Sequence, residues 1–431
     1  MNYIYSKYNI AQKDIDDNYI LYNCLSNTYC VVREQERFEK IQSGEAVEPE
    51  LVELGFLVEE GTNEIALAEY YLNQKINPKF LNLFIVPTRF CNFDCIYCYE
   101  EHKPLYMNFE TQQEVVRYVK NTLPKYSGII ITWFGGEPTV ALKAVDYISS
   151  EIKKICQDLK KSYYAAINTN GYELTQEVME RFLNYNIRYF QICIDGIKST
   201  HEKHRMHIKN NDSFDKIVNN LINIKKNIKR GFKIVIRTNV TKEILSVMDE
   251  YIDMLYENFG GDDRFWYYWE IAKDHGGERV KSIYDTLLPD EKKFIEYVIK
   301  ASKLGMKFDF NQFVAPGGFV CALYPYSYWL IDYNGDIQKC TVGFDNENVK
   351  LGKLQNAKML IDEMALARWM YSSKENCKDC SIYPACGAAS CPFGENDKCK
   401  SKDCDQLRSI FNNIVMMNYY NKKEHEKLCM I

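Results

Sequence analysis

Three cysteines, Cys91, Cys95 and Cys98, fall within the stretch RFCNFDCIYCYE that runs from residue 89 to residue 100. A Cys-x3-Cys-x2-Cys spacing puts three thiolates on one tight loop, one short of the four ligands a structural zinc site takes. A cubane four-iron cluster has four corners, so the same three thiolates leave one iron open to a ligand that is not protein. A second stretch with chemical potential is WFGGEP, where Gly135, Gly136, Glu137 and Pro138 follow an apolar run. Adjacent glycines let backbone groups come close to a ligand, and Glu137 adds a carboxylate acceptor for an ammonium group. Alone, GGEP reads as a turn. Next to the triplet it points to an amino-acid moiety held at a cluster.

The remaining cysteines are unevenly spread. The chain has sixteen in 431 residues, and Cys321, Cys340, Cys377, Cys380, Cys386, Cys391, Cys399, Cys404 and Cys429 all lie in its last quarter. A polar amino-terminal stretch and the lack of a long apolar run give no signal peptide or membrane span, so the expected location is the cytoplasm. Thiols there serve metals or catalysis more often than disulfides. Cys24, Cys30 and Cys156 read as small buried hydrophobes and Cys429 as no ligand. A net charge of -5 gives no general attraction to nucleic acid or to anionic membrane, and neither is expected as a partner.

These residues need elements to position them. Apolar runs at 81–86, 128–134, 163–168, 187–194, 232–240 and 264–271 alternate with helical patterns such as TQQEVVRYVKNTL. Six βα units with two-sided apolar strands argue for an α/β fold with a parallel sheet, open or curved into a barrel. In such sheets chemistry gathers beyond the carboxyl ends of the strands, which is where the triplet and GGEP fall. The first 80 residues read as a separate unit: strands at 18–24 and 28–34 joined at Ser26 and Asn27, then helical segments, the last over 63–76. After about residue 305 short strands, turns and cysteines replace the βα pattern, ending in a helix.

The triplet with Tyr97 and Tyr99, the GGEP, the NTNG at 168–171 and CIDGIKSTHEKHR at 193–205 together resemble a radical S-adenosylmethionine enzyme. The resemblance implies a partial (β/α)6 TIM-like barrel over 81–304 and a [4Fe–4S] cluster on Cys91, Cys95 and Cys98, whose open iron is chelated by the cofactor's amino and carboxylate groups. It also implies reductive cleavage of S-adenosylmethionine to methionine and a 5′-deoxyadenosyl radical, with electrons from a flavodoxin or ferredoxin. Cofactor contacts carried over are Tyr97, Gly135, Gly136, Glu137, Pro138, Asn170, Asp195, Arg205 and Asn239. Cys193 stands where the family often has serine, and a thiol is a weaker donor and acceptor. Asn170, Asn239 and Asp195 read equally well as turn residues. Glu100 reads as surface.

Residues 305–431 resemble the SPASM domain, a cysteine-rich module with two auxiliary [4Fe–4S] clusters, three in the whole chain. By that resemblance Cys321, Cys340 and Cys391 serve the first, and Cys377, Cys380, Cys386 and Cys404 the second. Spacing before Cys391 is one residue longer than the family's, and the extra Cys399 competes as a ligand of the first. Enzymes with this module mostly modify peptides. The sulfatase maturases among them carry an Asp after the cysteine matching Cys340, whereas Thr341 stands here and is no general base near neutral pH. In element order, residues 1–80 are similar to the winged-helix units with which peptide maturases grip a precursor's leader, a task suited to adding the peptide as a strand at a sheet edge; a structural lid is the other reading. The expectation is a peptide maturase that installs a crosslink, thioether first and carbon–carbon or carbon–oxygen second. A sulfatase-maturase-like enzyme and a non-catalytic zinc protein stand as alternatives.

Overall fold

The computed structural model describes residues 2–272, 289–318, 320, 325–343, 349–367, 377–387, 401–425 and 428–430. Two units emerge: one of Met1–Pro78, Phe308–Tyr326 and Met370–Ile431, the other of Lys79–Lys307 and Ser327–Trp369.

The first unit opens with β1 (Tyr3–Tyr5), β2 (Asn9–Lys13), β3 (Tyr19–Asn23) and β4 (Thr28–Val32), followed by α1 (Gln35–Ser43), α2 (Pro49–Glu53), β5 (Leu57–Glu59) and α3 (Glu64–Ile76). β2, β3 and β4 form an antiparallel meander, and β1 pairs with β5 apart from it. β1 and β2 were absent from the sequence expectation because sequences such as NIAQK carry little apolar alternation. Asn27 turns the β3–β4 connection at φ 59, a conformation asparagine tolerates. β3 and β4 are buried from their second residue on because both faces are covered. Leu21, Cys30 and Val32 pack with Phe38, Ile41, Leu51 and Phe56 on one side. On the other, Tyr29 donates from its hydroxyl to the Val415 carbonyl of the helix Ser401–His425 at 3.1 Å, and the Tyr22 ring lies 6.3 Å from Phe411 of the same helix. Cys24 and Cys30 are fully buried, as expected of small hydrophobes.

The second unit contains β6 (Phe80–Ile85), β7 (Phe93–Cys95), β8 (Gly128–Trp133), β9 (Ser162–Thr169), β10 (Ile187–Cys193), β11 (Arg205–His207), β12 (Lys233–Val240) and β13 (Phe265–Ile271). Six of them lie side by side and parallel in the order β6, β8, β9, β10, β12, β13, with helices in the connections. Helix faces supply the cover: Val115 and Val119 on Phe109–Thr122, Val145, Ile148 and Ile152 on Leu142–Asp158. Ile129, Ile131 and Trp133 of β8 are fully buried while Ile130 and Thr132 between them are partly open, so one sheet face is sealed and the other is not. β13 forms one edge, which leaves the array open as a partial barrel.

At the other side β14 (Tyr328–Ile331) joins β6 in parallel, and β15 (Asp336–Gln338), β16 (Lys350–Gln355) and β17 (Lys358–Ile361) continue as an antiparallel meander to ten strands. Residues 327–361 of the cysteine-rich stretch therefore share a sheet with the barrel strands. In the first unit β18 (Cys429–Met430) pairs in parallel with β4. Among the described residues no helix is long and apolar enough to cross a membrane.

Candidate active site

The triplet loop starts where β6 ends. Cys95 closes β7, which pairs antiparallel with β11 so that Cys95 faces Arg205, and the Cys98 N–H donates to the Cys95 carbonyl at 3.2 Å. Cys91 and Cys95 are buried and Cys98 is half-buried. Burial pushes all three thiols up, Cys95 to about 11, and the neighbouring thiols add to the effect on Cys91. Such thiols are poor nucleophiles and become thiolates when a cation replaces the proton. The Phe93 N–H lies 3.4 Å from the Cys91 sulfur, a donor suited to a thiolate, and His102 Nε2 lies 3.4 Å from Cys98 Sγ. Among the described residues no His, Cys, Asp or Glu group closes as ligands of a metal ion. A cubane differs in spreading its thiolates over separate corners, and the triplet suits that.

GGEP contacts the triplet loop in a way the sequence did not foretell. A Cβ on Gly135 would stand 2.4 Å from Val86 Cγ1, and one on Gly136 would stand 2.3 Å from the Phe90 carbonyl oxygen. The glycines are thus required for the turn to lie on residues 86–90, with the Gly136 and Glu137 N–H groups donating to Thr88 and Phe90 carbonyls at 3.2 and 2.8 Å. Glu137, expected to accept an ammonium, instead turns its carboxylate into the protein. It accepts from Thr139 N (2.9 Å), Thr139 Oγ1 (2.6 Å), Thr169 Oγ1 (2.7 Å) and Asn170 N (2.6 Å). Buried Pro138 starts the short 3-10 turn that Glu137 caps.

Asn170 is also tied internally. Its Nδ2 donates to Asn92 Oδ1 at 2.7 Å and its Oδ1 accepts from Tyr172 N at 3.0 Å, so it braces the triplet loop against the end of β9. Asp195 is fully buried and accepts from the Asn239 N–H at 2.8 Å and from the Tyr97 hydroxyl, which in turn accepts from Arg205 Nη1 at 3.2 Å. Tyr97, Asp195, Arg205 and Asn239 thus meet in one network beside Cys95. Burial pushes the Asp195 carboxyl up, and Arg205 partly offsets it. Cys193 ends β10 half-buried, opposite Arg237 in the sheet register. Two donors in this region, Asn92 Nδ2 and Arg205 Nε, are buried without a protein acceptor. Buried donors are ordinarily satisfied, so a bound carboxylate fits here.

Further residues escaped the sequence reading. Arg237 and Tyr268 stand side by side in the β12–β13 register on the face that carries Cys193; Arg237 Nη2 meets Glu270 at 3.2 Å and the Tyr268 hydroxyl donates to Glu270 at 2.9 Å. Arg237 Nε is a buried donor without a partner. The signal was present: a charge inside an otherwise apolar strand marks the unsealed sheet face. Arg89, two residues before Cys91, forms a buried pair with Asp332, Nε lying 3.0 Å from Oδ1. Glu100 is not a surface residue: it is half-buried, one of its carboxylate oxygens is out of solvent contact, and its charge raises the Cys98 thiol.

Cys321, Cys391 and Cys399 lie outside the described residues. Cys340 follows β15 half-buried, with the Val342 N–H 3.3 Å from its sulfur; Ser327 is buried, its carbonyl accepting from Asn82 N at 2.9 Å. In the other unit Cys377, Cys380 and Cys386 lie on a turn and a one-turn helix that stops at Gly387 in the left-handed region, and Cys404 lies on the helix Ser401–His425. The Cys380 and Cys386 thiols both bear on Cys24, which brings that buried cysteine to their neighbourhood.

Residues 85–255 match the Radical SAM superfamily. Fe-coproporphyrin III synthase of Methanosarcina barkeri is 23% identical over 216 residues, so the chain spans 50% of that relative's length. The cysteine-type anaerobic sulfatase-maturating enzyme of Clostridium novyi is 24% identical over 390 residues, 80% of this chain and 98% of that one. Among solved structures, native anSMEcpe with bound AdoMet has a TM-score of 0.55 at 17% identity, covering 77% of this chain and 99% of its own. Streptococcus suis SuiB bound to precursor peptide SuiA has a TM-score of 0.52 at 16% identity, covering 92% of this chain and 97% of its own. These likenesses carry the fold: an α/β radical SAM architecture with an open barrel.

Proposed function

We propose that the chain is a radical SAM peptide maturase that crosslinks a ribosomally made precursor peptide, with a thioether as the favoured bond and a carbon–carbon or carbon–oxygen bond as the alternative, a reading supported by the match of residues 85–255 to the Radical SAM superfamily. The observation that carries the site is the gathering of buried Cys91 and Cys95 and half-buried Cys98 on one loop at the carboxyl end of the first barrel strand, beside buried donors that lack protein acceptors. The family's cofactor, S-adenosylmethionine on a reduced [4Fe–4S] cluster, would supply a carbon radical that takes a hydrogen atom from substrate, the cluster's electron being used in the cofactor's cleavage. In this reading Cys91, Cys95 and Cys98 hold the cluster. Arg205 and Asn92 present N–H groups to the cofactor carboxylate, the GGEP turn walls the loop, and Tyr97 and Asp195 hold Arg205 in place. Arg237, Tyr268 and Glu270 face the open side and orient substrate. Cys321, Cys340 and Cys391, with Cys399 as the candidate fourth ligand, hold the first auxiliary cluster, and Cys377, Cys380, Cys386 and Cys404 the second.

Peptide as substrate is supported by the extent of the likeness to SuiB bound to precursor peptide SuiA, which covers 92% of this chain; residues 1–80 are assigned here to leader binding. A second reading, oxidation of a cysteine in a sulfatase, is favoured by the length of the Clostridium novyi match; Thr341 in place of an acidic residue weighs against it. Replacing Cys91, Cys95 and Cys98 by Ala is expected to abolish 5′-deoxyadenosine production in anaerobically reconstituted protein while iron stays on the carboxyl-terminal cysteines. Retained cofactor cleavage would refute the assignment. Co-expression with a precursor peptide that the protein modifies, followed by mass spectrometry, is expected to show loss of two hydrogen atoms per crosslink.

A further inference from the structure

The outer edge of β4 is taken by the chain itself. β18 lies parallel to it, with Cys429 opposite Cys30 and Met430 opposite Val31. The Cys429 side chain enters the apolar cluster of Leu21, Cys30, Val32 and Phe38, and its sulfur is 3.3 Å from Cys30 Sγ. Met430 points out and is 65% exposed. On its inner edge β4 pairs with β3 along all five of its residues, whereas β18 engages two on the outer edge. A sheet edge of this length that carries no lysine, proline or bulge is a ready template for a further strand, and among the described residues β18 pairs with two of its five.

We propose that Cys429–Met430 is a self-ligand of a peptide-docking edge, and that an extended segment of the substrate's leader displaces it by pairing along β4. The proposal rests on the peptide-maturase reading. Slot chemistry specifies the incoming segment. The side chain that replaces Cys429 must be small and apolar, because the space is walled by Leu21, Cys30, Val32 and Phe38 and a charge there would be stripped of water without a partner. The side chain that follows faces outward, as Met430 does, and is unrestricted in size.

The test uses the full chain, a chain ending at His425, and a synthetic heptapeptide HEKLCMI with the sequence of residues 425–431. Backbone amides of residues 28–32 are expected to exchange deuterium about tenfold faster in the shortened chain, and millimolar heptapeptide is expected to restore their protection. Full-length Cys429→Asp is expected to expose the same amides, which guards against misfolding of the shortened chain. Oxidised glutathione then traps the contact: Cys30 and the peptide thiol lose two protons and two electrons to form a disulfide, and the glutathione disulfide is reduced to two thiols. Peptide mapping is expected to find the trap on Cys30 and not on the equally buried Cys24 or Cys156. Equal exchange at 28–32 in all three chains, or a heptapeptide that neither protects nor traps, overturns the proposal. The maturase reading fails separately, through cofactor cleavage that survives loss of the triplet cysteines.

Discussion

Glu137 accepts four hydrogen bonds inside the protein, and burial still leaves its carboxyl above the usual range. Glu137→Ala strands two backbone and two hydroxyl donors in a buried site, at a cost of about 3 kcal/mol. A urea midpoint that does not move would return the residue to a ligand-only role. His201 is fully buried, and its Nδ1 accepts the Asp195 N–H at 3.1 Å, which places the proton of the neutral ring on Nε2. Burial, with Arg205 and His204 adding to it, holds its pKa well below the ordinary histidine value. Below about pH 6.5 the unfolded chain therefore binds a proton at this residue that the folded chain does not, and stability falls with pH by up to about 1.4 kcal/mol per unit. His201→Asn keeps an acceptor for the Asp195 N–H and removes the titration. Its unfolding free energy is expected to depend on pH less steeply, by about half a proton at pH 6.5 and approaching one proton at pH 5.5, measured from denaturation curves.

At the scale of elements, the buried Arg89–Asp332 pair ties the triplet loop to the turn between β14 and β15. Arg89→Met leaves the Asp332 carboxylate buried without its partner, an expected loss of about 3–5 kcal/mol, whereas adding Asp332→Leu recovers most of it. A double-mutant cycle on thermal unfolding checks this, and additive losses would show that the pair contributes nothing as a pair. No local pattern announces such a contact, since Arg89 and Asp332 are remote in sequence and each looks like a loop charge. The six barrel strands were legible for the opposite reason. The apolar runs at 81–86, 128–134 and 187–194 became Phe80–Ile85, Gly128–Trp133 and Ile187–Cys193, because bulky apolar and β-branched residues concentrate in these strands even though one sheet face is only partly sealed. The triplet and GGEP were legible as a pair of loops at strand ends. What GGEP does locally was not, because the clash that makes Gly136 necessary comes from the Phe90 carbonyl, a neighbour supplied by the fold.

For the whole molecule the sequence placed a boundary near residue 304, with the barrel before it and the cysteine-rich module after it. The sheet runs across that boundary. β14 pairs with Asn82–Ile85 of β6, the Val86 N–H donates to the Ile331 carbonyl at 2.9 Å, and Leu330 packs with Val86, Phe84, Tyr99 and Phe134. A chain of residues 79–307 alone would expose the outer edge of β6, uncover the apolar residues beneath the triplet loop and leave Arg89 buried without Asp332. Each loss acts on the same few residues, so the damage falls on the segment that carries Cys91, Cys95 and Cys98. Such a chain is expected to lack a cooperative thermal transition and to expose apolar surface to a hydrophobic dye. Extending it to residue 369 restores β14–β17 and Asp332, and is expected to bring the transition back. A sharp melt of the 79–307 chain would show that the barrel strands hold together without β14, and that the cysteine-rich stretch is added to a finished fold.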